Sequence, residues 1–375
     1  MKYFIIAGEQ SGDLHGSNLV RELKSSDNEG EILCWGGDLM EAAGATLLMH
    51  YRKTAFMGIT MILKNLGRIS RNLILCKNQI SSCKPDAVIL IDYPAFNLRI
   101  AKFAKNKGLR VFYYISPKFW AWYEGRVEKV RKYVDRMYTI FPFETEFYAR
   151  HGIVVQYRGN PLVDEIEKKK ESMADRQEII SSLGSDRRPV IALLAGSRKH
   201  EVESILPQMI KVAKHFPGYQ CVLAGVRNLP DDLYLRILGD EPVRLIKEKT
   251  YEILSSADAS LVKSGTATLE AALLGIPQVV CYKGDLFSML VSWILIKVKY
   301  VSLVNLIMES EVVKELIQYK LNEKNLVREL KSILPGGNKR EKMMSDYQLL
   351  REKLGPAGAS ERIADEMIRE LKGRK

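Results

Sequence analysis

Residues 262–277 read Val-Lys-Ser-Gly-Thr-Ala-Thr-Leu-Glu-Ala-Ala-Leu-Leu-Gly-Ile-Pro, and the architecture follows from how this stretch is parsed. Immediately upstream, 259–262 is short and apolar, as a buried strand is. Beyond the small polar run, Leu269, Ala272 and Leu273 recur at helical spacing, so a helix begins at the strand's carboxyl end. Gly275 and Pro277 stop that helix, and 278–282 reads as the next strand. The turn suits an anion. Gly265 lets the backbone approach a ligand, Ser264, Thr266 and Thr268 bring hydroxyls, and the first-turn N–H groups lack intrahelical partners. Glu270, early in the helix, lies within reach of a sugar hydroxyl beside such a phosphate. Simple capping by the same small residues is the plainer alternative.

The same alternation continues in both directions. Apolar runs at 3–7, 31–35, 87–91, 111–115 and 137–141 are separated by helical patterns, and a second series follows at 190–194, 221–224, 243–246, 259–262 and 279–282. Such spacing implies an α/β protein with two doubly wound, Rossmann-like domains, their parallel sheets covered on both faces. The charged interval between the series reads as an exposed helix and linker. The expected division is therefore 1–164, linker 165–188, 189–330, and a helical tail 331–375. Ligands of such sheets sit beyond the carboxyl ends of the strands, so the expected site is the cleft between the halves. In the tail, Ser360 caps a last helix whose Ile363, Met367, Ile368 and Leu371 share a face. That face needs cover, from the first domain or from a second copy in a homodimer.

At 375 residues the chain can bury two cores, and 46% hydrophobic with 27% charged residues is ordinary for a globular protein. The longest apolar run, 286–296, is too short to span a bilayer. The net charge of +12 favours an anionic partner. With no RNA-binding signature or zinc-finger spacing, nucleic acid is not expected, and acidic lipid or a phosphorylated substrate comes first. Five scattered cysteines without a C-x-x-C pair read as reduced thiols of a cytosolic protein. The N-terminal apolar run is too short for a secretion signal.

Three further places carry chemistry. Residues 8–16, Gly-Glu-Gln-Ser-Gly-Asp-Leu-His-Gly, follow the first strand but match neither a dinucleotide fingerprint nor a Walker loop. Glu9, Asp13 and His15 there are open between capping and catalysis. Asp92 ends the strand 87–91 and precedes Pro94, so it is a general base at the strand's mouth or a helix cap. Arg198 lies just past 190–194, where a guanidinium can grip a diphosphate in two-pronged fashion, although a surface role is commoner.

Taken together, A-G-E-x-S-G-D-L-H-G (7–16), I-D-x-P-x-F-N (91–97), Y-I-S-P-x-x-W-A-W (114–122), F-P-F-E (141–144), G-x-P-L (159–162), G-S-R-x-x-E-V (196–202), S-G-T-A-T-L-E-A-A-L-L-G-I-P (264–277), S-L-x-N-L (302–306) and E-L-x-Q (315–318) resemble the lipid-A-disaccharide synthase family of GT-B glycosyltransferases. The resemblance covers about 3–330. It implies an inverting transfer of 2,3-diacylglucosamine from its UDP derivative to 2,3-diacylglucosamine 1-phosphate, giving a β-1,6-linked disaccharide 1-phosphate and UDP. It implies a catalytic carboxylate at Asp92, with His15 and Glu9 as rival bases, and a UDP site of Arg198, Ser264, Gly265, Thr266, Glu270 and Asn305. Ala95, Asn160 and Val304 stand where many relatives have Asp, His and Pro. The chain has no D-x-D triplet, so no metal is expected, and no cofactor is implied. The rivals are another GT-B-like enzyme, such as a UDP-N-acetylglucosamine 2-epimerase, and a non-catalytic binder of nucleotide sugar or acidic lipid.

One more segment concerns the membrane. Ile59, Ile62, Leu63, Leu66, Ile69, Leu73 and Ile74 recur at helical spacing among Lys64, Arg68, Arg71 and Lys77, as in an interfacial helix. A core helix is the alternative. The family resemblance favours the membrane, and with it a cytoplasmic protein bound peripherally to the cytoplasmic face of the inner membrane.

Overall fold

The computed structural model of the chain describes residues 1–54, 66–122, 124–182, 188–284 and 299–373. These fall into two compact units, Met1–Asp164 with Pro356–Lys375, and Glu165–Gly355.

The first unit is built on a parallel sheet of β1 (Lys2–Ala7), β2 (Glu31–Gly36), β3 (Thr46–His50), β4 (Ala87–Ile91), β5 (Arg110–Tyr114), β6 (Arg136–Thr139) and β7 (Gln156–Tyr157), ordered β3-β2-β1-β4-β5-β6-β7. Its central strands are apolar along their whole length because both faces are covered. Tyr3, Ile5, Ile89, Phe112 and Tyr114 point to one side, where they pack with Leu19, Leu23, Ile363, Met367 and Leu371. Phe4, Ile6, Val88, Leu90 and Tyr113 point to the other, against Cys76, Ile80, Phe96 and Ile100. The order reverses between β1 and β4, which opens a crevice at their carboxyl ends.

The apolar face of the last helix, Ala359–Lys372, thus lies in the first unit's own core, with no second copy needed to cover it. Its start is capped from far along the chain. Asp164 accepts from the N–H groups of Gly358 (2.7 Å), Ala359 (3.2 Å) and Ser360 (3.1 Å). Further along, Glu366 pairs with Arg158 at 2.6 Å, and Glu370 with Arg110 and Arg136.

The second unit has a parallel sheet of β8 (Val190–Leu194), β9 (Gln220–Gly225), β10 (Val243–Lys247), β11 (Ala257–Lys263), β12 (Gln278–Tyr282) and β13 (Lys314–Ile317), ordered β10-β9-β8-β11-β12-β13. Its reversal falls between β8 and β11. Two sequence expectations change here. The interval read as a linker carries helix Arg176–Ser182, whose buried Ile179 joins the second core, so from Glu165 it counts with this unit. The tail read as one piece divides at Gly355. Helix Arg340–Leu354 buries Met343, Tyr347 and Leu350 in the second unit, and only Ala359–Lys372 belongs to the first.

Helix Leu66–Cys83 holds the described part of the expected membrane segment; Ile59, Ile62 and Leu63 lie outside the described residues, as does the side chain of Leu66. The single apolar face expected there is divided. Leu73, Cys76 and Ile80 turn inward to the core, Ile69 is half-buried, and Ile74 (59% exposed) and Leu75 (39%) turn outward. Among the described residues no helix is long and apolar enough to cross a membrane.

Candidate active site

In the first unit the crevice between β1 and β4 is flanked by the loops that carry the predicted carboxylates. Asp92 follows β4 directly. Its backbone and that of Tyr93 are both left-handed, with φ of 43° and 50°, a conformation that costs non-glycine residues energy and persists only where surroundings enforce it. The enforcement is visible. The Asp92 N–H donates to the Tyr114 carbonyl (3.2 Å), and the Asp92 carbonyl accepts from the Tyr113 hydroxyl (2.5 Å) and from Asn97 Nδ2 (2.8 Å). The Tyr93 ring lies flat against Gly8, where any Cβ would meet it at 2.3 Å, and its hydroxyl donates to the Thr54 carbonyl at 3.0 Å. Burial pushes the Asp92 carboxyl up to about 6. The Glu9 carboxylate adds to the rise, while Lys118 and the Tyr93 N–H oppose it.

Glu9 caps helix Gln10–Ser26 with extended backbone, and its Oε1 accepts from Ser11 Oγ at 2.9 Å. His15 sits half-buried in the next turns. Burial drives its imidazole down to about 4, with Asp164 opposing, so it is neutral at pH 7. Asp13 is a structural cap. Buried, it accepts from the N–H groups of Gly37 (2.7 Å), Leu39 (3.1 Å) and Met40 (3.2 Å).

Beside them, the loop after β5 is held by a residue that sequence reading matched to a motif without giving it a role. Glu144, almost fully buried, accepts from Ser116 Oγ, Trp120 Nε1 (3.1 Å) and the N–H groups of Ile140 (3.1 Å) and Phe141 (3.0 Å). Burial still raises its carboxyl to about 7 against these donors. The Trp120 ring, from the matched motif 114–122, meets Phe143 edge-on at 5.0 Å.

In the second unit the crevice between β8 and β11 gathers the expected donor residues. Gly196 ends the run after β8 at φ 110°, and a Cβ there would meet Glu201 Oε2 at 2.5 Å, so glycine is what lets the Glu201 carboxylate tuck beneath the loop. That carboxylate accepts from the N–H groups of Ser197 (3.1 Å) and Arg198 (3.3 Å) and lies 3.3 Å from Arg198 Nη1. After β11, Ser264 Oγ donates to the Val301 carbonyl (2.6 Å), and Thr268 Oγ1 donates back to the Gly265 carbonyl (2.8 Å) in the first turn of helix Thr266–Leu273, whose N–H groups no side chain caps among the described residues. Thr266 is exposed at the helix start. Gly265 has extended backbone, φ 162°, and a Cβ there would meet only Lys263 Nζ, at 3.9 Å, among the described residues. Among the described residues the space in front of it is open, which is the room a ligand needs. Glu270 is pushed up to about 7 by burial, with the Glu165 carboxylate adding to the rise.

Asn305 does not fit the expectation of a nucleotide contact. Fully buried, it donates from Nδ2 to the Val313 carbonyl (2.8 Å) and Glu315 Oε1 (2.9 Å), and its Oδ1 accepts from the N–H groups of Val312 (2.8 Å) and Val313 (2.9 Å). Two donors and two lone pairs are all used, so its amide holds the segment together from beneath. Val304, where a proline was looked for, is buried in helix Leu303–Met308, whose start is capped by Ser302. Among the described residues no group of three or more His, Cys, Asp or Glu is gathered as for a metal ion.

A family model described as lipid-A-disaccharide synthetase matches residues 3–369. The chain is similar to the lipid-A-disaccharide synthase of Geobacter metallireducens, 38% identical across 100% of this chain and 98% of that protein. It is 39% identical to the enzyme of that name from Syntrophus aciditrophicus, across 96% of this chain and 95% of that one. Solved structures of like fold include a UDP-GlcNAc 2-epimerase from Neisseria meningitidis bound to UDP-GlcNAc (TM-score 0.72, 14% identity, 98% of this chain and 100% of that chain). Another is the calicheamicin glycosyltransferase (TM-score 0.62, 14% identity, 99% and 98%). At such identities these structures speak for the GT-B-like α/β fold alone.

Proposed function

The chain belongs to the lipid-A-disaccharide synthetase family, and from that premise we propose that its first unit activates the acceptor at Asp92 while its second holds the donor's diphosphate at Arg198 and the loop 264–266. The reaction is glycosyl transfer in lipid A synthesis: 2,3-diacylglucosamine passes from UDP to 2,3-diacylglucosamine 1-phosphate, and UDP leaves. Inversion takes one displacement. The acceptor 6-oxygen forms a bond to C1 of the donor as the bond from C1 to the diphosphate breaks, and the 6-hydroxyl proton goes to the base. The departing charge is met by cations and helix-end N–H groups.

The observation that carries the assignment of the base is Asp92 itself. A carboxylate held in strained left-handed backbone at a sheet's switch point, raised to about 6, is suited to take a proton near neutral pH and remains mostly ionised there. His15, neutral at pH 7, and Glu9, both in the segment that follows β1 beside β4, are the remaining candidates; Glu9 acts on Asp92 through its charge. Glu270 is assigned to the donor's ribose. The exposed Ile74 and Leu75, with exposed Arg71 on the same helix, suit contact with an anionic lipid surface, and acylated substrates on the cytoplasmic side of the inner membrane give that contact a purpose.

Incubating the purified protein with both diacylated sugars and following UDP tests this reading. Acceptor-dependent release supports transfer. Epimerised sugar without acceptor would favour a 2-epimerase, and binding without turnover a carrier.

A further inference from the structure

We infer that Lys263 is a second cation for the donor's diphosphate, held ready beside Arg198 by the buried Glu201. The inference rests on the donor-site reading above. β11 is buried from Ala257 to Val262, and then ends on a lysine. Lysine at the last position of a parallel strand loses hydration without gaining packing, so its amine needs a partner. It has one: Lys263 Nζ lies 2.7 Å from Glu201 Oε1, the same oxygen that Arg198 Nη1 approaches at 3.3 Å. The other oxygen, Oε2, is taken by the Ser197 and Arg198 N–H groups. One carboxylate thus ties the loop that follows β8 to the end of β11, on either side of the switch point.

The pairing does not exhaust the lysine. Its ammonium has three N–H donors and Glu201 takes one, which leaves it able to meet a second anion. The position of the amine is marked by Gly265, whose missing side chain would find Lys263 Nζ and nothing else within 4 Å among the described residues. An anion seated on the backbone at 264–266, at the start of helix Thr266–Leu273, would therefore meet the amine on its open side. Glu201 is a positioning residue in this arrangement and Lys263 a direct contact. Lys263 is 20% exposed and Arg198 53%, so the lysine works in the drier surroundings, where a charge-assisted hydrogen bond is stronger. As the bond from C1 to the diphosphate breaks, its electron pair stays on the departing oxygen, and the lysine offsets that charge while keeping its proton.

The test is calorimetric titration of the whole chain with uridine, UMP and UDP, in the parent, Lys263→Met, Lys263→Arg and Arg198→Ala. Lys263→Met should leave uridine affinity unchanged and weaken UDP by about ten- to a hundredfold, with Lys263→Arg recovering most of the loss and the salt dependence of UDP binding reduced. If uridine and UDP weaken in equal proportion, Lys263 only staples the loop after β8 to β11 and the inference is overturned. Unchanged UDP affinity in Lys263→Met with a loss in Arg198→Ala would overturn it while sparing the donor site. No loss in either would remove the donor-site reading as well. Should Lys263→Met melt early, Lys263→Gln keeps a hydrogen-bond donor for Glu201 without the charge, and the same selective loss of UDP is expected from it.

Discussion

Asp92→Asn gives the sharpest test of the proposed chemistry because the substitution changes one proton site and little else. Asparagine has the same shape and tolerates left-handed backbone at least as well as aspartate, so the turn at 92–93 should survive. Loss of a general base lowers turnover by about two to four orders of magnitude, and UDP binding in the other unit should be unaffected. The parent's pH profile supplies the second reading. A base must be ionised to act, so with the carboxyl near 6 the acid limb of kcat/KM should bend there. About nine-tenths of the protein would be active at pH 7 and about one-tenth at pH 5, roughly a tenfold fall. Glu9→Gln removes a like charge and should move the limb to lower pH; Lys118→Met removes an opposing cation and should move it higher. The same raised value has a cost in stability. A carboxyl whose folded value lies above its unfolded one contributes stability that is fully present below about pH 4 and lost as pH rises through about 6. Asp92→Asn escapes that loss, so at pH 7.5 its melting temperature should equal or exceed the parent's. UDP release between pH 5 and 8.5, with thermal unfolding alongside, measures all of this. Near-normal turnover in Asp92→Asn, or a limb that ignores Glu9 and Lys118, would refute the assignment and turn attention to His15 or Glu9.

Arg198→Ala and Glu270→Ala should each weaken UDP binding by about tenfold or more, one through the diphosphate and one through the ribose; undiminished affinity in both would remove the donor assignment. Glu144→Gln offers one oxygen where four donors converge, so it should lower stability by about 1–3 kcal/mol and raise KM for the acceptor, with UDP affinity in titrations unchanged. Met367→Ala should destabilise by about 2–5 kcal/mol, because the side chain is fully buried between two helices and the first sheet; a denaturant midpoint equal to the parent's would contradict that packing. Ile74→Ser with Leu75→Ser should reduce sedimentation with anionic vesicles at unchanged melting temperature, and unaltered sedimentation would move the membrane contact elsewhere.

What could be read from residues alone divides along physical lines. Ten strands were visible as apolar runs, most of them because parallel strands buried on both faces are continuously apolar; β10, a half-exposed edge strand, was read from Val243, Leu245 and Ile246. Those not foreseen are β3, β7 and β13, which lie at sheet edges, are short or half-exposed, and carry residues such as Gln156, Lys314 and Glu315. Asp92 could be found because it follows a strand, but nothing local announces that it and Tyr93 turn left-handed; that depends on Tyr113, Tyr114 and Asn97 gripping the backbone. Glu144, Glu201 and Lys263 were given no role for a related reason. A buried charge is explained by its partners, and Lys263 finds its partner 62 positions upstream. Asn305 erred the other way: a polar residue inside a matched motif looks available until its four hydrogen bonds are counted. In helix Leu66–Cys83 periodicity showed which residues were apolar, while only packing could separate Leu73 and Cys76 from Ile74 and Leu75.

The docking of helix Ala359–Lys372 onto β1, β4 and β5 also sets an order of events on the ribosome. The strands of the first unit emerge early, yet the helix that seals one side of them is translated only after residues 165–355. At roughly 5–20 residues per second, that delay is on the order of ten to forty seconds. Throughout it, Leu19, Leu23, Phe112 and Tyr138 lack part of their cover, while the later unit is still being synthesised. The nascent chain is therefore most exposed to chaperones and proteases along this one uncovered side, and translation speed through 165–355 governs for how long.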